Sequence, residues 1–194
     1  KLMHNPLIYI ILFTAGIWSQ PNPWKEKFIL AMNDPKGVSI TVEIEQKQFD
    51  INSVEQGTIE IVKKDHYLLD TTSETVVVTG DTIRTWNKKS NQLIIDQTIK
   101  DDFSIFNLLT GRFDSIALSK PIEKAHQVSM YLDIPTMGYE GKIIIKKNGQ
   151  PIELKIKYGP NQYVTMKVLT FSHGKLSLFP AFDPSEAEVI DLRE

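Results

Sequence analysis

Cysteine is absent from the 194 residues, which excludes disulfides, thiolate metal sites, a cysteine nucleophile and lipid attachment to an N-terminal cysteine. Histidine is scarce. His4, His66, His126 and His173 lie far apart and form no H-x-H or H-x-x-x-H pair, so the spacing of a zinc site is missing. There is no Gly-x-Ser-x-Gly elbow for a serine nucleophile and no glycine-rich loop that could cradle phosphates. An excess of one charge is lacking too. Lysines and carboxylates interleave to a formal net charge of -2, without the basic stripe that holds nucleic acid. No motif signals a paired acid–base site, and most carboxylates, such as Glu43 and Glu45, fall where a strand would face water. What is there is a chain with 41% hydrophobic and 24% charged residues, a balance that supports a folded core.

The apolar residues are ordered along the chain. Residues 6–18 are uncharged and mainly apolar, but fewer than the roughly 20 that a membrane-spanning helix needs. They fit the apolar region of a secretory signal peptide over residues 1–19, with Ser19 ahead of a cut before Gln20; a buried or membrane-anchoring N-terminal helix is the alternative. Trp24, Phe28 and Met32 are spaced by four and predict a short helix over 24–33, ended by Asp34-Pro35-Lys36-Gly37. From Val38 the period drops to two: Val38, Ile40, Val42 and Ile44 alternate with Ser39, Thr41, Glu43 and Glu45. Similar strands are expected at 58–63, 67–71, 75–79, 82–86 and 92–97. After an apolar helix within 98–114, capped by Asp101 or Asp102 and ended by Gly111, they resume at 127–134, 141–147, 151–158 and 163–171. Asn148-Gly149 is the clearest hairpin turn, and residues 187–192 offer a last short strand.

The expected fold is therefore mainly β: one domain over 20–194, a curved antiparallel half-barrel of roughly ten strands, unclosed, with short lid helices over an apolar concave face. Alternation alone predicts a packed sandwich core equally well. The space beneath the lid is argued from how little helix there is to cover so much sheet.

Several segments, in order, resemble the LolA-type outer-membrane lipoprotein carriers. Gly57-Thr58-Ile59-Glu60-Ile61-Val62 runs into Lys63-Lys64-Asp65-His66 and then Tyr67-Leu68-Leu69-Asp70, like a glycine-led strand, a basic pair and an aromatic-apolar strand of that family. Val76-Val77-Val78-Thr79-Gly80-Asp81-Thr82-Ile83-Arg84-Thr85-Trp86-Asn87 resembles the family's next hairpin, and Asn91-Gln92-Leu93-Ile94-Ile95-Asp96 its return strand. Ala187-Glu188-Val189-Ile190-Asp191-Leu192-Arg193 resembles the C-terminal strand of the version typical of Bacteroidetes-like bacteria.

The resemblance implies a periplasmic, monomeric, non-enzymatic carrier without a cofactor. It would bind lipoprotein acyl chains released by an inner-membrane ABC-type transporter and deliver them to an outer-membrane acceptor. The expected lipid-binding residues are Val42, Ile44, Ile59, Ile61, Tyr67, Leu69, Val78, Ile83, Trp86, Leu93, Ile95, Met130, Leu132, Leu154, Ile156 and Met166. The expected lid residues are Phe28 and Met32 on the first helix and Phe103, Phe106 and Leu109 on the second. In the best-known branch an arginine after the second strand ties down the lid. Lys63 and Lys64 occupy that place here and are the latch candidates, followed by Tyr67 in the place of the family's aromatic. A sensor or binding protein for other lipids or hydrophobic ligands on the same fold is the alternative function.

Overall fold

The computed structural model describes residues 22–98, 103–114 and 116–193. The expected leader over 1–19 and the cap at Asp101 or Asp102 lie outside the described residues. The first helix, α1 (Pro23–Met32), forms where the spacing of Trp24, Phe28 and Met32 places it. Asn22 caps it by accepting from the backbone N–H groups of Trp24 (3.1 Å) and Lys25 (3.2 Å), and Pro23 supplies a first residue that needs no N–H partner. At the other end the side chain of Asn33 donates back to the Ile29 carbonyl at 2.8 Å, and Pro35 prevents continuation.

Six antiparallel strands follow as a meander: β1 (Val38–Gln48), β2 (Ile51–Lys63), β3 (His66–Thr71), β4 (Glu74–Thr79), β5 (Thr82–Asn87) and β6 (Gln92–Gln97). The apolar segment is a helix only over α2 (Ile105–Leu109). The short β7 (Ala117–Leu118) and β8 (Ile122–Glu123) line the outer edge of β9 (Gln127–Ile134). The second meander continues through β10 (Tyr139–Lys146), β11 (Pro151–Gly159) and β12 (Gln162–His173). Pairing of β1 with β12 joins the two meanders into one open, curled sheet, not closed into a barrel; among the described residues it has 13 strands, twelve in the order β13 (Glu188–Asp191)-β6-β5-β4-β3-β2-β1-β12-β11-β10-β9-β7 and β8 beside β9. The last strand, β13, is reached after a four-residue helix, α3 (Leu178–Ala181), and runs parallel to β6.

Register fixes which side chains share a face, because facing residues point the same way and successive ones alternate. On the inner face Val38 and Ile40 meet Ile61 and Ile59, which in turn face Tyr67 and Leu69, and then Val78 and Val76. Across the other half, Met130, Ile143, Leu154 and Met166 form one continuous row. α1 lies in this trough with Phe28 and Met32 fully buried, and Phe113 meets Phe28 edge-on with ring centroids 5.9 Å apart.

The outer face of β2–β6 is covered as well. Leu68, Val77 and Leu93 are buried there under the chain that leads through α3 to β13. Phe179 stacks on His66 at 4.5 Å, and Phe182 meets Trp86 edge-on at 6.3 Å. This strap is held by Glu60, only 1% exposed, whose carboxylate accepts from the N–H groups of Ser177, Leu178 and Phe179 at 2.6 to 3.1 Å. Three parallel N–H donors are what a buried carboxylate needs in place of water.

Candidate functional site

The two helices on the inner face are held very differently. α1 is fixed along its length. Trp24 donates its indole N–H to Glu123 at 3.0 Å, Glu123 also takes Lys147 at 2.7 Å, and the ammonium groups of Lys27 and Lys147 lie 4.0 and 4.9 Å from the Trp24 ring. Those contacts hold the Glu123 carboxyl below its usual range, first through the hydrogen bond from Lys147 and then through that from Trp24. Gly149, in the left-handed region at φ 92°, lets the β10–β11 turn press directly on the Lys27 carbonyl, where a Cβ would overlap it. Phe28 and Met32, expected on a lid, are thus a wedge in the core.

α2 is one turn long, and Ser104 at its start makes no side-chain capping bond. A helix this short has no stability of its own. It is attached by Leu108 and Leu109, which are buried in the core, and by contacts of Phe106 and Arg112. Phe106, partly buried, stacks on Tyr67 with centroids 5.1 Å apart and planes 18° apart. Arg112, just beyond the helix, donates to the backbone carbonyl of Lys64 at 3.3 Å. At the expected latch position the contact is made by the Lys64 backbone, not by the ammonium groups of Lys63 and Lys64. The cation comes from the helix side, Lys64 offers its carbonyl, and Lys63 pairs with Asp65 at 3.6 Å in an exposed position. Burial pushes the Tyr67 phenol above its ordinary pKa, against the opposing Arg112 charge and a hydrogen bond with Ser104.

Beside α2 the inner face stays open. An apolar pocket of about 270 Å³ is lined by Phe103, Ser104, Ile105, Tyr139, Ile156, Tyr158 and Val164. The Tyr139 ring lies 5.9 Å from Tyr158 and 6.4 Å from Phe103. The volume is just below the roughly 300–1,000 Å³ of ordinary small-ligand pockets.

Of the expected lipid-binding residues, Ile156 borders this space. Val42, Ile59, Ile61, Tyr67, Leu69, Val78, Met130, Leu132, Leu154 and Met166 belong to the buried inner-face cluster that α1 and α2 fill, with Ile44 and Ile83 partly buried against it. Trp86, Leu93 and Ile95 do not share that face. Trp86 pairs with Thr75 and Leu93, and Ile95 with Arg84, which puts them on the outer face beneath or beside the C-terminal strap. Of the expected lid residues, Leu109 is core, Phe106 covers Tyr67 and Phe103 lines the pocket. Sequence reading missed Ser104, Ile105, Tyr139, Tyr158 and Val164; the last three continue the inward alternation of Ile143, Ile156 and Met166 toward the strand ends, which is the signal that could have found them.

Among the described residues no group of three or more His, Asp or Glu could hold a metal ion, and no helix is long and apolar enough to cross a membrane.

No protein-family model matches the sequence, and no curated protein does either. Solved structures are similar at the level of the fold. A conserved protein of Thermus thermophilus superposes with a TM-score of 0.56 at 12% identity, over 87% of this chain and 97% of that one. A chain of the Pseudomonas aeruginosa MucA/MucB complex gives 0.52 at 12% identity, over 87% of this chain and 62% of that one. A LolA superfamily protein of Nitrosomonas europaea gives 0.46 at 6% identity, over 83% of this chain and 96% of that one.

Proposed function

We propose that the chain is a non-catalytic carrier that shelters acyl chains on the inner face of its half-barrel. The observation that carries this reading is the apolar pocket left open at one end of an otherwise filled trough, next to the one-turn helix α2. A packed sandwich core would need neither. A buried methylene is worth about 0.8 kcal/mol, so one long acyl chain gains on the order of 10 kcal/mol on leaving water. The pocket of about 270 Å³ shelters the first part of such a chain, and moving the segment around α2 would admit the rest. In this reading the cargo is the acylated end of lipoproteins. The carrier is exported to the periplasm by its leader, loaded by an inner-membrane ABC-type transporter and emptied at an outer-membrane acceptor, working as a monomer.

Displacement of a fluorescent fatty acid tests the reading. Long-chain fatty acids and triacylated lipopeptides should compete for the pocket, and Ile156→Trp, which fills it, should abolish probe binding while the fold persists. Competition by fatty acid or another lipid but not by lipopeptide would assign the pocket to other hydrophobic ligands. No saturable probe binding would end the carrier reading.

A further inference from the structure

The tip of the β1–β2 hairpin is built against the ordinary preferences of a soluble surface. Phe49 is 67% exposed, Ile51 73% and Val54 59%, and no other three large apolar residues this exposed fall within six positions among the described residues. Gln48 pairs with Ile51, so Phe49 and Asp50 form a two-residue turn, and Phe49 sits in the left-handed region at φ 53°. Glycine or asparagine is the usual occupant of such a position, as Asn91 and Asn161 are in this chain. A bulky aromatic ring there is strained and solvated at once, so neither turn geometry nor packing accounts for it.

The β2 arm of the tip is a sheet edge, while β1 stays paired with β12 up to Gln48. Pairing of β2 with β3 begins only at Gly57, so residues 51–56 have β1 on one side and a free edge on the other. Ile51 and Val54, three positions apart, point to opposite faces of this ribbon. A flat partner would cover one of them, whereas a medium that surrounds the tip covers both along with Phe49. Lys47 is the one cation of residues 46–56, beside Asp50 and Glu55, so the tip has no basic cluster to draw it to an anionic surface and an uncharged bilayer suits it better. The neighbouring strand carries the pocket: Gln46 faces Val164, and Phe49 lies three residues further on, about 10 Å along the strand. Tyr158 and Tyr139 at the mouth are side chains suited to a lipid–water interface.

We infer that residues 49–54 dip into the interface of a neutral phospholipid bilayer and bring the pocket mouth to the lipid surface. This deepens the carrier reading, and the two fail separately. The test is flotation of the whole protein with phosphatidylcholine vesicles, beside probe binding in solution. The wild type should float, and Phe49→Asp should weaken vesicle binding at least about tenfold, equivalent to about 1.4 kcal/mol, with fatty-acid probe binding unchanged. Phe49→Gly should also weaken vesicle binding while raising the thermal midpoint, because glycine relieves the left-handed strain. Leu30→Asp, on the exposed face of α1, should float like the wild type. Failure of the wild type to float, or normal flotation of Phe49→Asp, overturns the inference. So does self-association of the wild type that Phe49→Asp removes without any vesicle binding, an outcome that assigns the tip to a second copy of the chain.

Discussion

Replacing Phe106 by alanine tests whether α2 is a cover or part of the core. The ring is partly buried and stacks on Tyr67 at 5.1 Å. Such a pair is worth about 0.5–1.5 kcal/mol beyond its buried area, and the lost half-burial of a phenylalanine adds about 1 kcal/mol. The expected loss of stability is therefore about 2 kcal/mol, against about 3–5 kcal/mol for Phe28→Ala at a fully buried site. Urea unfolding measures both. If α2 closes over the pocket, losing about 1 kcal/mol of fastening should speed release of a bound fluorescent fatty acid about fivefold, as seen by stopped-flow displacement. Phe28→Ala, scaled for its effect on folding, should leave release unchanged. Phe106→Ala costing as much as Phe28→Ala would make the ring ordinary core. Unchanged release from a variant that loses the expected 2 kcal/mol would show that α2 does not gate the pocket.

Other residues give independent checks. The Tyr67 pKa is raised on folding, so its contribution is whole below its unfolded value and is lost as the pH rises through the folded one. The urea midpoint of Tyr67→Phe should therefore fall less than that of the wild type between about pH 8 and pH 11. Glu74 is likewise raised, mainly by burial and then by the charge of Glu55, and its ionisation costs stability as pH rises through the folded value. Glu74→Gln should stabilise the protein at about pH 7 and make no difference at about pH 3. Glu60→Gln replaces a carboxylate that serves three N–H donors by an amide that can serve them with one oxygen, at a cost of about 2–3 kcal/mol. Hydrogen exchange should localise that loss to residues 175–191, while probe binding on the other face stays normal.

Most of the sheet was legible because alternation writes its inner face directly. Val38 to Ile44 is the plainest case, with Val38, Ile40 and Val42 buried along β1; the pairing of β1 with the distant β12 was not legible. The start of β2 was not legible. Ile51-Asn52-Ser53-Val54-Glu55-Gln56 has little periodicity, because that ribbon is solvated on both faces. The misplacement of Trp86, Leu93 and Ile95 has a different cause. An apolar residue every second position shows that a face is covered, but not which face. The covering strap comes from the distant 174–187 segment, and its α3 turn is too short to signal. Tyr67-Leu68-Leu69 and Val76-Val77-Val78, apolar at consecutive positions, were the local sign of a sheet buried on both sides. The pocket was legible only in part. Its strand walls follow the alternation, but its size depends on how deeply α1 sinks into the trough. That depth is set by Gly149 against Lys27 and by the Trp24–Glu123–Lys147 cluster, contacts that join residues far apart in the chain.

The most direct test of the carrier reading is native mass spectrometry of the protein isolated gently from cells, followed by extraction and identification of whatever leaves with it. The account predicts a population heavier than the bare chain that releases an acylated lipopeptide or lipoprotein, and a lighter population after Ile156→Trp fills the pocket. Protein that emerges only at the mass of the bare chain, even from cells rich in lipoproteins, would contradict it.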